Sequence, residues 1–82
     1  MRVAMIGAGY VGLVSGACFA DFGHRVVCVD SDADKIAALT RRLMPIYEPG
    51  LAELVETNLS EQLLSFATDL AGAVRTAEAV FI

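Results

Sequence analysis

Cysteine, histidine, tryptophan, proline and positive charge are all scarce in this sequence. Its 82 residues hold two cysteines, two prolines, one histidine and no tryptophan. Cys18 and Cys28 are too few for a disulfide framework. Met1-Arg2 leads into no basic region, long apolar core and small-residue cleavage site, so no secretory signal is written. The expected setting is therefore the reducing cytoplasm, with both thiols free. A cysteine among apolar neighbours acts as a small buried hydrophobe, not a nucleophile. His24 reads as a surface-loop residue, and no Cys–His pair has ligand spacing. Zinc, serine-hydrolase and Cys–His chemistries find no support, and no metal site is expected. Lys plus Arg is 6 against 10 for Asp plus Glu, a net charge of −4. That excludes the basic face needed for non-specific nucleic-acid or anionic-membrane binding. Apolar runs break well before the ~18 residues of a membrane span. What remains is a chain that is 56% hydrophobic and 20% charged, too apolar for a disordered tail. It is the size of one small domain or half a larger one.

Repeats and low-complexity stretches are absent as well, and the segments alternate in type. Arg2 to Ile6 is a continuous apolar strand, as expected when both faces are covered. A glycine turn follows, then a helix over Tyr10 to Phe22, closed by Gly23-His24 with Gly23 left-handed. Arg25 to Val29 is a second strand, ending at Asp30. Ser31 reads as the cap of a second helix, with Asp34 three residues on. That helix carries Ile36, Leu39 and Leu43 on one face, and Arg41-Arg42 match its C-terminal dipole. Met44 to Pro49 is a loop bounded by prolines. Leu51, Leu54, Val55 and Leu59 stripe a third helix, with Glu53 and Glu56 toward water. Leu63 to Ala67 is a third strand. Thr68 or Asp69 caps a short helix bearing Leu70, Ala73, Val74 and Ala77, and Ala79 to Ile82 opens a fourth strand.

Strands alternating with helices imply βαβ units and right-handed crossovers. The fold class is α/β: a Rossmann-like, doubly wound parallel sheet of about four strands. Such domains usually have six strands, so residues 1–82 read as the N-terminal part of a dinucleotide-binding domain, with substrate and catalytic domains outside this chain. The first helix agrees. Asp21 is its only charge between Tyr10 and Phe22, so it must be covered on more than one side. Gly12, Gly16 and Ala20 give it a smooth face toward the sheet.

Gly7-Ala8-Gly9-Tyr10-Val11-Gly12 matches G-x-G-x-x-G, a weak pattern alone. Here it follows an apolar strand, opens a helix, and has an acid ending the next strand, 18 residues after Gly12. Gly7 permits the tight turn, Gly9 lets a pyrophosphate approach the backbone, and Gly12 lets helix and strand pack. The amides of Tyr10 and Val11 then face the phosphates from a helix N-terminus. Asp30 can accept both hydroxyls of an adenosine ribose and would repel a 2′-phosphate, which favours NAD over NADP. Lys35 can reach the same ribose or the adenine edge. Simpler roles stay open: Asp30 as a helix cap, Lys35 as a solvated side chain, Tyr10 as packing over the turn.

Gly7-Ala8-Gly9-Tyr10-Val11-Gly12-Leu13, Asp30, Lys35 and Pro45-Ile46-Tyr47-Glu48-Pro49-Gly50-Leu51 together resemble the start of the UDP-glucose/GDP-mannose dehydrogenase family. The resemblance covers nearly the whole chain. It implies an NAD-dependent enzyme that oxidises the C6 alcohol of a nucleotide sugar such as UDP-glucose to a carboxylate, using two NAD molecules and a cysteine-bound thioester. It also implies that the glycine turn holds the pyrophosphate and that Asp30 and Lys35 hold the ribose. The family's catalytic cysteine lies far downstream. Neither Cys18 nor Cys28 matches it, so no catalytic residue is expected here. Thr40 and Arg42 stand where members often carry Asn and Gly. Without a glycine stop, the second helix is expected to run longer. Glu48 is read as part of a structural turn with Pro49-Gly50. The alternatives are a non-catalytic, NAD-binding regulatory Rossmann module and a flavin enzyme with the same turn. Asp30, rather than Glu, tilts toward NAD. The apolar end and the nearly uncharged first helix point to a homo-oligomer.

Overall fold

The computed structural model describes residues 1–44 and 48–82. Four strands are seen among them: β1 (Arg2–Ile6), β2 (Arg25–Val29), β3 (Leu64–Ala67) and β4 (Ala79–Phe81). Helix α1 (Tyr10–Asp21) links β1 to β2, α2 (Ala33–Thr40) and α3 (Leu51–Ser60) lie between β2 and β3, and α4 (Leu70–Thr76) links β3 to β4. The strands form one parallel sheet in the order β3-β2-β1-β4. Val3 is paired with Val26 on one side and Ala79 on the other. The Rossmann-like parallel sheet of four strands expected from the sequence is thus present.

Alternation along the strands divides the interior in two. Val3, Met5, Val26, Cys28 and Leu64 face a larger core with Leu13, Ala17 and Ala20 of α1, Ile36 and Leu39 of α2, and Leu51 and Val55 of α3. Ala4 and Val29 face the other way, toward Ala73 of α4. Leu13, Leu39 and Val55 are fully buried, each worth about 1.5–3 kcal/mol. The small-residue face of α1 explains its closeness to the sheet. A Cβ on Gly16 would lie 2.7 Å from Cys28 Sγ. Phe19 leans on Phe81 of β4 with ring centroids 5.3 Å apart.

Several boundaries differ from expectation. Helix α2 stops at Thr40 instead of running on, and Leu43 lies beyond it, exposed. Arg42 takes the left-handed conformation itself, at φ 66°. Its N–H bonds Leu39 O and that of Leu43 bonds Ala38 O, the paired bonds of a Schellman stop. The Arg41-Arg42 pair therefore follows the last turn rather than lying in it. Helix α1 ends the same way at Gly23 (φ 102°), and α3 at Gln62 (φ 62°). Asp32, not Ser31, caps α2, accepting from Lys35 N at 3.1 Å. On α4 only Ala73 is buried, while Leu70 and Val74 are exposed. Asp69 is its cap, through Gly72 N at 3.1 Å. Leu63 precedes β3 and Ile82 follows β4. Of the proline-bounded loop, Pro45, Ile46 and Tyr47 lie outside the described residues.

Candidate cofactor-binding site

The glycine turn joins the C-terminal end of β1 to α1, and its three glycines have three different reasons. Gly7 has φ 100°, where only glycine is at ease. A Cβ on Gly12 would run into the carbonyl of Gly7, so this glycine closes the corner. Gly9 needs neither excuse. Its backbone is extended, at φ −76° and ψ −168°, and a Cβ there would meet nothing within 4 Å. The space before Gly9 is free for something from outside. Aspartates cap α2 and α4, whereas no side chain caps α1 after Gly9. The first amides of α1 have no intrahelical partner and carry the positive end of the dipole, an arrangement that suits an anion.

Asp30 comes to this corner from the end of β2. Its Oδ2 accepts the N–H of Ala8 in the turn at 3.0 Å, and its Oδ1 accepts the N–H of Asp32 at 3.0 Å. Lys35 Nζ lies 3.3 Å from Oδ2. Asp30 is thus not the cap of α2, and Lys35 is not a free solvated lysine. The amides of Asp32 and then Ala8, with Lys35 adding, hold the Asp30 carboxyl below the ordinary carboxylate range. It is an anion at neutral pH, and its side chain remains 16% exposed. Oδ2 receives two of these donors and Oδ1 one, so Oδ1 keeps an acceptor position open.

Two clefts meet at the corner and share Ile6 and Gly7. One, of about 320 Å³, is lined also by Val29, Asp30, Ser31, Thr68 and Leu70. The other, of about 250 Å³, is lined also by Met5, Gly9, Tyr10, Val11, Gly12 and Ile82. Both lie at the carboxyl end of β1, and the second lies between β1 and β4, reached by crossovers on opposite faces of the sheet. That is the switch point where open α/β sheets bind ligands. A further hollow, of about 230 Å³, lies at the other end of the strands near Arg2 and Arg25, away from the glycine turn.

All seven residues singled out from the sequence, Gly7, Gly9, Tyr10, Val11, Gly12, Asp30 and Lys35, line this corner or bond within it. Two contacts were missed. The Ala8 amide carries no side-chain signal. Glu48 accepts the Tyr10 hydroxyl at 3.0 Å from 38 residues away, and no local pattern announces such a pair. Glu48 also holds the Tyr10 phenol above its ordinary range, through this hydrogen bond first and its charge second. Burial pushes the Cys28 thiol up to about 12. It stays a neutral thiol in the core, with no part in the site. Among the described residues, no group of three His, Cys, Asp or Glu side chains could hold a metal ion, and no helix is long and apolar enough to cross a membrane.

Comparison with known proteins agrees with this geometry. The model of the UDP-glucose/GDP-mannose dehydrogenase family, NAD binding domain, matches residues 1–82. The UDP-glucose 6-dehydrogenase of Rhizobium meliloti (strain 1021) is 58% identical over 82 residues, all of this chain and 19% of that protein. The UDP-glucose 6-dehydrogenase TuaD of Bacillus subtilis (strain 168) is 52% identical over 81 residues, 99% of this chain and 18% of that one. A ternary complex of GDP-mannose dehydrogenase from Pseudomonas aeruginosa superimposes with a TM-score of 0.92 at 34% identity, covering 100% of this chain and 19% of that one. A UDP-glucose dehydrogenase from Pyrobaculum islandicum gives 0.92 at 41% identity, over 98% and 18%. The chain spans about a fifth of the length of these relatives. It belongs to the UDP-glucose/GDP-mannose dehydrogenase family, as that family's NAD binding domain.

Proposed function

We propose that residues 1–82 hold NAD for a nucleotide-sugar dehydrogenase whose substrate and catalytic parts lie outside this chain. Gly7, Gly9 and Gly12 shape the corner, and the amides of Tyr10 and Val11 face the pyrophosphate. Asp30 accepts an adenosine ribose hydroxyl at Oδ1, and Lys35 orients that carboxylate. One observation supports this reading: Asp30 Oδ2 accepts the Ala8 N–H, so a carboxylate stands at the mouth of the glycine turn. The acid's charge supports NAD over NADP. A phosphate charge about 4 Å from Asp30 would be repelled by roughly 4 kcal/mol at an effective dielectric of about 20. Lys35, the one cation that pairs with Asp30 among the described residues, is already engaged by it. When bound, NAD supplies the nicotinamide that accepts hydride.

The reading extends to the whole protein as a cytoplasmic, homo-oligomeric oxidoreductase that converts UDP-glucose or a related nucleotide sugar to its uronate. The relatives' names support the oxidoreductase reaction. The test is Asp30→Ala in the full-length protein. NAD binding is expected to weaken by about 1–3 kcal/mol, as charge-assisted hydrogen bonds are lost. Calorimetry reads the change, and an unaltered dissociation constant would remove the ribose role.

A further inference from the structure

We propose that Glu48 is a positioning residue for the dinucleotide, holding the Tyr10 ring as a fixed wall of the cleft at the glycine turn. The proposal rests on the NAD-binding reading above and reaches beyond the glycine turn to the start of α3. Its ground is the 3.0 Å hydrogen bond from the Tyr10 hydroxyl to Glu48 Oε2. Tyr10 is the first residue of α1, so its own N–H belongs to the anion-facing set. Tyr10 lines the cleft with Gly9, Val11 and Ile82. Yet the residue is 51% exposed, so packing alone does not immobilise it. An exposed ring exchanges rotamers freely, and freezing it at each binding event costs entropy. A ring tethered beforehand avoids that cost.

The tether has a firm far end. Glu48 stands just before Pro49 and Gly50, and Gly50 starts α3 at φ 82°. Leu51 and Val55 of that helix are buried in the larger core. Glu48 therefore couples a core-anchored helix to the first residue of the phosphate-facing one. Charge alone argues the reverse, because a carboxylate beside a diphosphate repels it. The two views differ in sign, which makes the proposal testable.

The experiment uses the full-length protein with Glu48→Ala, Glu48→Gln, Tyr10→Phe and the double variant E48A/Y10F. It measures the NAD dissociation constant and the KM values for NAD and UDP-glucose, with Asp30→Ala alongside. E48A and Y10F are each expected to weaken NAD roughly three- to tenfold. E48Q should stay within about twofold of the native protein, because the amide oxygen accepts the same bond. The double variant should be no weaker than either single one, and the change should fall on the KM for NAD and not on that for UDP-glucose. Tighter or unchanged binding in E48A, failure of E48Q to rescue, or additive losses would each overturn the role of Glu48. Should E48A fail to fold, Y10F removes only a half-exposed hydroxyl and carries the same comparison. If D30A weakens NAD while Y10F and E48A do not, Glu48's role alone falls. If D30A has no effect, the NAD reading falls with it.

Discussion

Gly9 and Gly12 share a missing side chain for opposite reasons. At Gly12 a methyl group would strike the Gly7 carbonyl, which is backbone and cannot swing away. Gly12→Ala should destabilise the fold by about 1–3 kcal/mol, seen as a lower denaturant midpoint. At Gly9 a methyl would enter empty space in an ordinary conformation. Gly9→Ala should therefore leave stability within about 1 kcal/mol, yet weaken NAD tenfold or more. Equal losses of stability in both variants would contradict this division of roles. Asp30 adds a dependence on pH. Its folded pKa is lowered, first by the Asp32 and Ala8 amides. Its contribution to stability is then complete above the unfolded value of about 3.9 and lost as pH falls through the lower folded value. Asp30→Asn should flatten that acid limb in urea titrations at pH 2–5. At this scale the glycines and the acid were legible in the sequence. The Ala8 amide was not, because backbone donors leave no trace in side-chain identity.

Helix ends carry the lesson at the scale of elements. The stripes of α2 and α3 hold at Ile36, Leu39, Leu51 and Val55, because burial demands a 3.6-residue period, whereas Leu43 falls beyond the end of α2. The stop of α2 does not follow from glycine, because a missing glycine is not a missing stop. Arg42 supplies the left-handed residue anyway, at a conformational cost that non-glycine residues carry. Arg42→Gly should raise stability by about 1 kcal/mol, measured by the urea midpoint, and no gain would mean that the arginine side chain offsets its own strain. The cap of α2 was misplaced by one residue for a related reason. Ser31, Asp32 and Asp30 are all chemically able to cap, and the choice depends on which carboxylate the glycine turn already occupies. Asp32→Ala should cost about 1 kcal/mol in the same assay.

The whole molecule is asymmetric about its sheet. Among the described residues, α1, α2 and α3 cover one face with a continuous core, while α4 covers the other through Ala73. Strand order was not readable from any single segment, since it depends on which edge each crossover takes. The parallel class was readable from the alternation of strands and helices. Cys28, on the well-covered face, is fully buried with its thiol near 12. Its alkylation should follow global opening of the fold, whereas half-buried Cys18 reacts through smaller motions. Mass spectrometry of labelled peptides over a denaturant series would separate the two, and early loss of Cys28 would contradict the packing described. One side chain also binds this architecture together at its apex. The Asp30 carboxylate ties the β1–α1 corner, the end of β2 and the start of α2 through three donors. With Asp30 holding the ribose as proposed, coenzyme preference and cohesion of the apex rest on the same two oxygens. A lineage drifting toward a phosphorylated ribose would have to rebuild that bracing elsewhere before it could give up the acid.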